Sequence, residues 1–277
     1  MTETTTVTFS VLAADERLPD FAALSGLLAE ARGLNREDAG RLARHAWGFI
    51  GEGLDETAAD GLLAKCGAAG IKAVKIPSSR MTALKPPLRV KKAVFEADGF
   101  NYTGAGADIR SCRSGEILVL SAAPVREETI KIIKTTEEPS GQERAIRFGI
   151  MAVTGLPMGL GKRKEVKKEV RSSELSFVLE LILRTDGTRL RVSSNDFDFS
   201  GLKEKKTCSS QTNFRVLCAE LAAFAPGALK NAGLWAMLES KPLGTLPYDS
   251  AEDFEKELRR LAVLAGKGAS LLFQQKK

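Results

Sequence analysis

The sequence predicts an α+β protein in which a small α/β domain precedes an antiparallel β domain with C-terminal helices. Two strand-like runs, TVTFSVLA and IKAVKI, bracket helical stretches within the first 76 residues. Beyond a proline-rich segment, alternating runs prevail, among them SSELSFVLELILRTDGTRLRVSS. Alternation with a period of two indicates a strand with one buried face, whereas apolar spacings of three and four indicate a helix. The order of these patterns predicts the fold class.

The composition fits a folded protein of two ordinary domains. The chain has 277 residues, of which 43% are hydrophobic and 27% charged. These values argue against wholesale disorder, and the length allows each domain its own core. The formal net charge of +6 permits an acidic partner but does not require one.

Changes in pattern along the chain predict the domain boundaries. PSSRMTALKPPL is rich in proline and serine and has no periodicity, so it indicates an extended connection. We therefore expect a first domain at 1–78, a linker at 79–88, a β domain with a closing helix at 89–235, and a C-terminal loop and helix at 236–277.

Capping residues mark the predicted starts and ends of helices in the first domain. Helix starts are predicted at Asp20, Asn35 and Asp55, because a short polar side chain there can accept a hydrogen bond from the first turn. Gly33 and Gly70 are predicted to end helices. Gly51 and Gly53 indicate a turn or short strand, and 71–76 is the last predicted strand.

The second domain contains a predicted hairpin and two predicted helices. Asp186-Gly187 supplies the positive-φ turn of the hairpin. NFRVLCAELAAFAP is a helical run that Pro226 ends, and LWAMLESKPLGTLPYD is predicted to be mostly loop. A last helix is predicted to start at Ser250, with an apolar stripe that packs on a domain. One face of the hairpin is apolar: Leu175, Phe177, Leu179, Leu181 and Leu183.

The first domain resembles a known family. The run ARGLNREDAGRLARHAWGFIGEGLDETAADGLLAKCGAAGIKAVKI is similar to the C-terminal domain of the bacterial ribosomal stalk protein, and the Clp-protease adaptor has a related general shape. The resemblance implies the fold of this module. The basic face with which the stalk protein docks translation factors is replaced here by SGLLAEARG, with Gly26 and Ala29 at its centre. The resemblance therefore does not imply a ribosomal role.

The second domain has a looser resemblance. Antiparallel strands closed by one amphipathic helix are the order of a pleckstrin-homology-like barrel. NDFDFSGL and NFRVLCAELAAFAP are similar to strings in bacterial proteins of that shape whose function is unknown. This resemblance implies an antiparallel β domain closed by a helix.

A basic run is the candidate anion-binding site. The apolar, glycine-rich stretch at 148–161 continues into lysines and arginines, which predicts a strand-to-strand loop that could contact anionic phospholipid or nucleic acid. A solvated basic loop is the alternative. A nucleotide-binding loop is excluded, because five residues separate Gly155 from Gly161 and Arg163 stands where Ser or Thr is needed. The candidate residues are Lys162, Arg163, Lys164, Lys167, Lys168 and Arg171.

No catalytic, cofactor-binding or metal site is predicted. His45 is the chain's one histidine and could act as a general base, but beside Trp47 a structural or surface role is favoured. Asp196 and Asp198 alternate with two phenylalanines, which predicts exposed acids beside buried rings. The cysteines have no metal-ligand spacing and are predicted to be reduced thiols: Cys66, Cys112, Cys208 and Cys218.

The sequence therefore favours binding over catalysis. No secretory signal and no apolar run of membrane-spanning length are visible, so a cytoplasmic location is expected. We expect a non-enzymatic adaptor or scaffold that binds another protein. The alternative is binding of an anionic surface, phospholipid or nucleic acid, through 162–171, and an enzyme is a third option.

Overall fold

The computed structural model describes residues 7–81, 83–96, 99–104, 108–137, 164–242 and 248–274. Helices and sheets are both present, which confirms the α+β class. The chain forms two compact units, Met1–Val125 with Ser176–Lys277, and Arg126–Leu175. The predicted domain boundaries stay a prediction. The described helices are α1 (Phe21–Arg32), α2 (Arg36–Arg44), α3 (Glu56–Ala68), α4 (Ser210–Phe224), α5 (Ala232–Leu238) and α6 (Ala251–Gln274).

The described strands form three sheets. Strands β1 (Phe9–Ala13), β2 (Phe49–Leu54) and β3 (Ala73–Pro77) form the first, in the order β2-β1-β3. The second has the order β11-β8-β9-β10-β4, and the third the order β5-β6-β7. Their strands are β4 (Leu88–Val90), β5 (Lys92–Glu96), β6 (Gly99–Thr103), β7 (Ile109–Cys112), β8 (Ile117–Glu137), β9 (Lys164–Leu183), β10 (Arg189–Ser193) and β11 (Leu229–Lys230).

The predicted helix starts of the N-terminal module, residues 9–77, are confirmed. The side chains of Asp20, Asn35 and Asp55 accept hydrogen bonds from backbone N–H groups in the first turns of α1, α2 and α3, at 3.0, 2.9 and 2.8 Å. Each bond satisfies a donor that the helix leaves unpaired. Gly33 ends α1 with a φ of 63°, the left-handed conformation expected of a C-terminal glycine.

Both faces of the three-stranded sheet are covered. Val11 and Ala13 share a core with α1, α2 and α3, to which Leu28 and Cys66 contribute. Alternate side chains point to opposite faces of a strand, so Leu12 lies on the other face. There it packs with Phe49 and Ile76, and Val263 of α6 packs against this group. The last helix thus covers this face of the N-terminal module.

The predicted hairpin is confirmed. β9 and β10 pair antiparallel with Leu181 opposite Leu190, and Gly187 has a φ of 68°. The predicted apolar face packs against α4, whose Phe214 and Leu217 are buried in the same core. The members of this face within the described side chains are Phe177, Leu179, Leu181 and Leu183.

The opposite face of the same sheet packs against α6. Val178 and Ile182 share a buried cluster with Leu258 and Leu261. The predicted apolar stripe of the last helix is therefore buried, and it contacts the five-stranded sheet while Val263 contacts the three-stranded one. One helix links the two sheets into one compact unit.

One stretch predicted to be mostly loop begins with a short helix. The sequence predicts mostly loop over 234–249, and α5 extends into this stretch as far as Leu238. Asn231 caps this helix by accepting a hydrogen bond from the backbone N–H of Leu234 at 2.9 Å. Seven residues are too few for a clear apolar period, and burial of Leu234 and Met237 stabilises the helix instead.

Candidate functional site

A left-handed turn at the end of α2 organises the candidate site. Trp47 and Gly48 follow one another with φ values of 49° and 82°. A bulky residue in this conformation costs on the order of 1–3 kcal/mol, so the surrounding contacts must hold it. The indole of Trp47 is 94% buried and stacks on Tyr248, with 4.6 Å between ring centroids. Packing against a residue two hundred positions away therefore stabilises the turn.

A buried arginine of α6 lies directly beneath this turn. Arg260 is fully buried and donates hydrogen bonds to the carbonyl oxygens of Ala13 and Asp15, at 3.2 and 2.7 Å, and of Glu16 at 3.1 Å. A Cβ atom on Gly48 would lie 2.5 Å from Cδ of Arg260. Glycine is thus required at 48 both for its positive φ and for the approach of this side chain.

A second buried charge lies one helical turn away from Arg260. Glu257 is fully buried, 3.5 Å from the Arg260 guanidinium, and accepts hydrogen bonds from the Tyr248 hydroxyl and from the Ala232 backbone N–H. Burial raises the pKa of the Glu257 carboxyl. Burial, and next the Glu257 charge, raise the pKa of Tyr248 well above its usual value. Tyr248 therefore acts as a neutral hydrogen-bond donor.

The network also fixes the chain that follows β1. Oε1 of Glu16 accepts hydrogen bonds from the Lys230 backbone N–H at 2.7 Å and from Nε1 of Trp235 at 3.1 Å. The guanidinium of Arg17 lies 4.4 Å from the centre of the Trp235 ring. We call the buried group Trp47, Tyr248, Phe254, Glu257 and Arg260 the junction.

An apolar cleft opens beside the junction. It has a volume of about 390 Å³, and Trp47 forms part of its wall. Phe21, at the start of α1, is 51% exposed although most of its neighbours in the cleft are apolar. We call this the Trp47 cleft, and its lining is Leu18, Pro19, Phe21, Leu24, Ala43, Arg44, Trp47 and Gly48.

Two polar groups of the Trp47 cleft lack partners. The buried Nε1 of Trp47 has no hydrogen-bond acceptor among the described residues. Leaving a buried donor unsatisfied costs about 1–3 kcal/mol, and this donor is closed to solvent and so to a ligand in the cleft. Arg44 is exposed and forms no ion pair within the described part of the chain. The cleft thus offers an apolar wall and one cation.

A second cleft has a similar size and different chemistry. It has a volume of about 400 Å³ and lies beside the 3₁₀ turn Phe199–Lys205. Its lining includes both lysines and glutamates, and Lys205 and Glu220 form an ion pair of 2.7 Å. Charges that satisfy one another on an exposed surface provide little affinity for a ligand. Its lining is Phe95, Gly201, Leu202, Lys203, Glu204, Lys205 and Glu220.

The structure corrects the context of the predicted anion site. Lys162 and Arg163 lie outside the described residues, whereas Lys164, Lys167, Lys168 and Arg171 belong to strand β9 and not to a loop. The sequence did not indicate a strand here, because charged side chains separate the β-branched residues of this run, Val166 and Val170. Their side chains are not among those described, so anion binding by this run stays a prediction.

The other predicted polar residues are placed as the sequence suggested. Phe197 and Phe199 are buried, while Asp196 and Asp198 pair with Lys91 and Lys92 at the surface. Burial raises the pKa of the Cys66 and Cys218 thiols, and that of Cys112 to about 11. These three thiols stay protonated near neutral pH and are poor nucleophiles. Cys208 is exposed.

Sequence reasoning missed the cleft and the junction. The sequence prediction names Trp47 only as a neighbour of His45, and it gives no role to Gly48 or to Arg260 in the last helix. An aromatic residue before a glycine at the end of a helix was the available signal, but the residues that complete the site lie beyond 230. His45 lies close to Asp249 and Asp253, which the sequence separates from it by two hundred positions.

Comparisons with known proteins give no relative. No family model, no curated protein and no solved structure matches this chain. Within the described residues, no helix is both long enough and apolar enough to cross a membrane.

Proposed function

We propose that the protein is a non-enzymatic adaptor or scaffold, acting in the cytoplasm, that binds a segment of another protein in the Trp47 cleft. The single observation that carries this proposal is an apolar cleft whose lining includes one exposed arginine, Arg44, without an ion-pair partner among the described residues. The segment has a large apolar side chain next to an acidic residue.

The lining of the cleft favours binding over catalysis. Catalytic sites combine nucleophiles, acids or bases whose side chains converge on a substrate. Arg44 is the one ionisable residue among the eight that line the Trp47 cleft, and none of the others is Ser, Cys, His, Asp or Glu. Such a wall can hold an apolar group and orient it, but it has no group that transfers a proton.

Each feature of the cleft matches one feature of the proposed segment. The exposed ring of Phe21 and the half-buried Leu18 offer apolar surface, and burying such surface contributes about 25 cal/mol per Å². Arg44 can pair with a carboxylate, which the guanidinium fork binds through two parallel hydrogen bonds.

The resemblances of the two domains are part of the proposal. The element order β1-α1-α2-β2-α3-β3 supports a ribosomal-stalk-like fold for the module, and the packing of α4 on the five-stranded sheet supports a pleckstrin-homology-like second domain. Domains of both shapes are small binding folds. The module is proposed to carry the binding site, and α6 to fix it on the second domain.

Selection of peptides from a random displayed library, with the full chain as bait, tests the proposal. We expect the selected peptides to share a large apolar residue next to Asp or Glu. Phe21→Ala and Arg44→Glu should each weaken their binding roughly 10-fold, the effect of losing about 1.4 kcal/mol. Ile109→Ser is the matched control, because Ile109 is 75% exposed but lies on another sheet. Equal binding to all three variants, or no shared pattern, would contradict the proposal.

A further inference from the structure

A histidine and two aspartates meet where α2 ends and α6 begins. His45 follows the last residue of α2, Asp249 precedes α6, and Asp253 lies in its first turn. One nitrogen of His45 and one carboxylate oxygen from each aspartate lie within 4.8 Å of one another. We propose that these three residues bind a divalent first-row transition-metal ion of the Zn²⁺ class, a site that goes beyond the proposed adaptor function.

The separation of His45 and Asp253 suits two ligands of one metal ion. Nδ1 of His45 and Oδ1 of Asp253 are 3.4 Å apart, long for a hydrogen bond between a ring nitrogen and a carboxylate. Zinc bonds of about 2.0–2.1 Å place tetrahedral ligand atoms roughly 3.3 Å apart. Asp249 is exposed, so its side chain can rotate to shorten the widest separation.

The ligand types select the metal. Mg²⁺ and Ca²⁺ prefer oxygen ligands alone, whereas imidazole suits zinc and its neighbours in the first transition row. Two carboxylates bring two negative charges to neutralise the ion. Three protein ligands leave a coordination position for water.

The charges around the three residues determine how strongly the site attracts a cation. The carboxyl end of α2 favours a cation beside His45, and the amino end of α6 opposes one beside Asp253. The ammonium of Lys256 donates a hydrogen bond to the His45 carbonyl at 3.2 Å and lies 3.8 Å from Glu52, which offsets its charge. The two aspartates therefore leave the site with a net negative charge toward the ion.

The position of His45 is not explained by the local structure alone. Asp253 has a local role, because its backbone N–H bonds Ser250 and its charge suits the first turn of α6. His45 belongs to another helix, and its imidazole meets Asp253 only through the fold. A bound ion would join these two helix ends and stabilise the folded chain by binding it in preference to the unfolded one.

Titration of the full-length, tag-free protein with Zn²⁺ tests the site. The exposed thiol of Cys208 is first removed by Cys208→Ser, since thiolates bind zinc. We expect one Zn²⁺ per chain by calorimetry, and His45→Gln and Asp253→Asn should each weaken binding at least ~10-fold. Asp108→Asn, a change at an exposed aspartate in another sheet region, should leave the affinity unchanged. Mg²⁺ at a large excess should not compete.

The chain's single histidine provides a second, direct readout. In a long-range ¹H–¹⁵N spectrum one imidazole gives one set of signals, and we expect the Nδ1 signal to shift when Zn²⁺ is added. His45 is half exposed, so His45→Gln should fold with an unchanged melting temperature in the absence of metal. A melting temperature raised by Zn²⁺ in the parent and not in this variant supports the site. An unshifted imidazole at saturating Zn²⁺, or unchanged affinity in His45→Gln, would overturn it.

Discussion

The junction and the core beneath α4 are both buried, but different chemistry holds each together. The core beneath α4 is apolar, with Leu179 and Phe214 among its fully buried members. In the junction the ionisable side chains of Glu257 and Arg260 are both buried, and Arg260 donates hydrogen bonds to three carbonyl oxygens. Apolar contacts tolerate small shifts, whereas directional hydrogen bonds in a buried network accept one arrangement. The junction therefore fixes the position of its side chains, and it holds Trp47 at the wall of the cleft.

The largest effect is expected from removing the buried arginine. Arg260→Leu should lower the free energy of unfolding by about 3–5 kcal/mol, because it leaves the buried Glu257 carboxyl without its cationic partner and removes the hydrogen bonds of Arg260 to three carbonyl oxygens. Urea unfolding measures this loss. The neighbouring Arg259→Leu is the matched control and should cost under ~1 kcal/mol, since Arg259 is partly exposed and pairs with Glu52.

A substitution in the apolar core beneath α4 should lower stability without changing peptide binding. Leu179→Ala should cost about 3 kcal/mol through the cavity it leaves, yet the peptide affinity of the folded protein should stay the same. If Arg259→Leu costs as much as Arg260→Leu, or if Leu179→Ala weakens peptide binding as much as Phe21→Ala does, the distinction between the two regions is wrong.

A smaller effect is expected at the turn itself. Gly48→Ala should lower the free energy of unfolding by about 2 kcal/mol, because the new methyl group adds a collision with Arg260 to the strain of a positive φ. Gly53→Ala is the control: its φ is 66° but nothing lies within 4 Å, so strain alone should cost about 1 kcal/mol. Equal losses in thermal or urea unfolding would mean that Arg260 moves aside freely.

The smallest effect is the pH dependence that Glu257 contributes. Its pKa is raised in the folded state, so its contribution to stability is fully present below the unfolded-state pKa and is lost as the pH rises through the folded-state pKa. The slope is at most about 1.4 kcal/mol per pH unit. From pH 4.5 to 7 the free energy of unfolding, measured with urea, should fall in the parent relative to Glu257→Gln. Parallel curves for the two proteins would show that Glu257 does not titrate in this pH range.

Local patterns predicted much of the fold. The helix starts at Asp20, Asn35 and Asp55 and the turn at Gly187 depend on hydrogen bonds and backbone angles within a few residues. The residues that determine such features lie next to them in the sequence. Helix α5 and the start of β9 at Lys164 were missed, because burial and pairing with distant residues decide both.

The candidate site could not be predicted in the same way. Trp47 has its role because Tyr248 and Arg260 reach it from the far end of the chain. The predicted apolar stripe of α6 indicated that this helix packs on something, but a stripe does not say which sheets it meets. Charges such as Glu257 and Arg260 are normally exposed, so no sequence pattern marks them as buried.

A charge exchange between the cleft and its peptide tests whether the bound segment lies beside Arg44. The affinity of a selected acidic peptide is measured for the parent and for Arg44→Glu, together with the same peptide carrying Lys in place of the acidic residue. We predict that the variant loses roughly 10-fold in affinity for the acidic peptide and regains most of it with the lysine peptide, because the apolar contacts are unchanged. If the lysine peptide binds both proteins equally weakly, the segment does not lie in the Trp47 cleft beside Arg44.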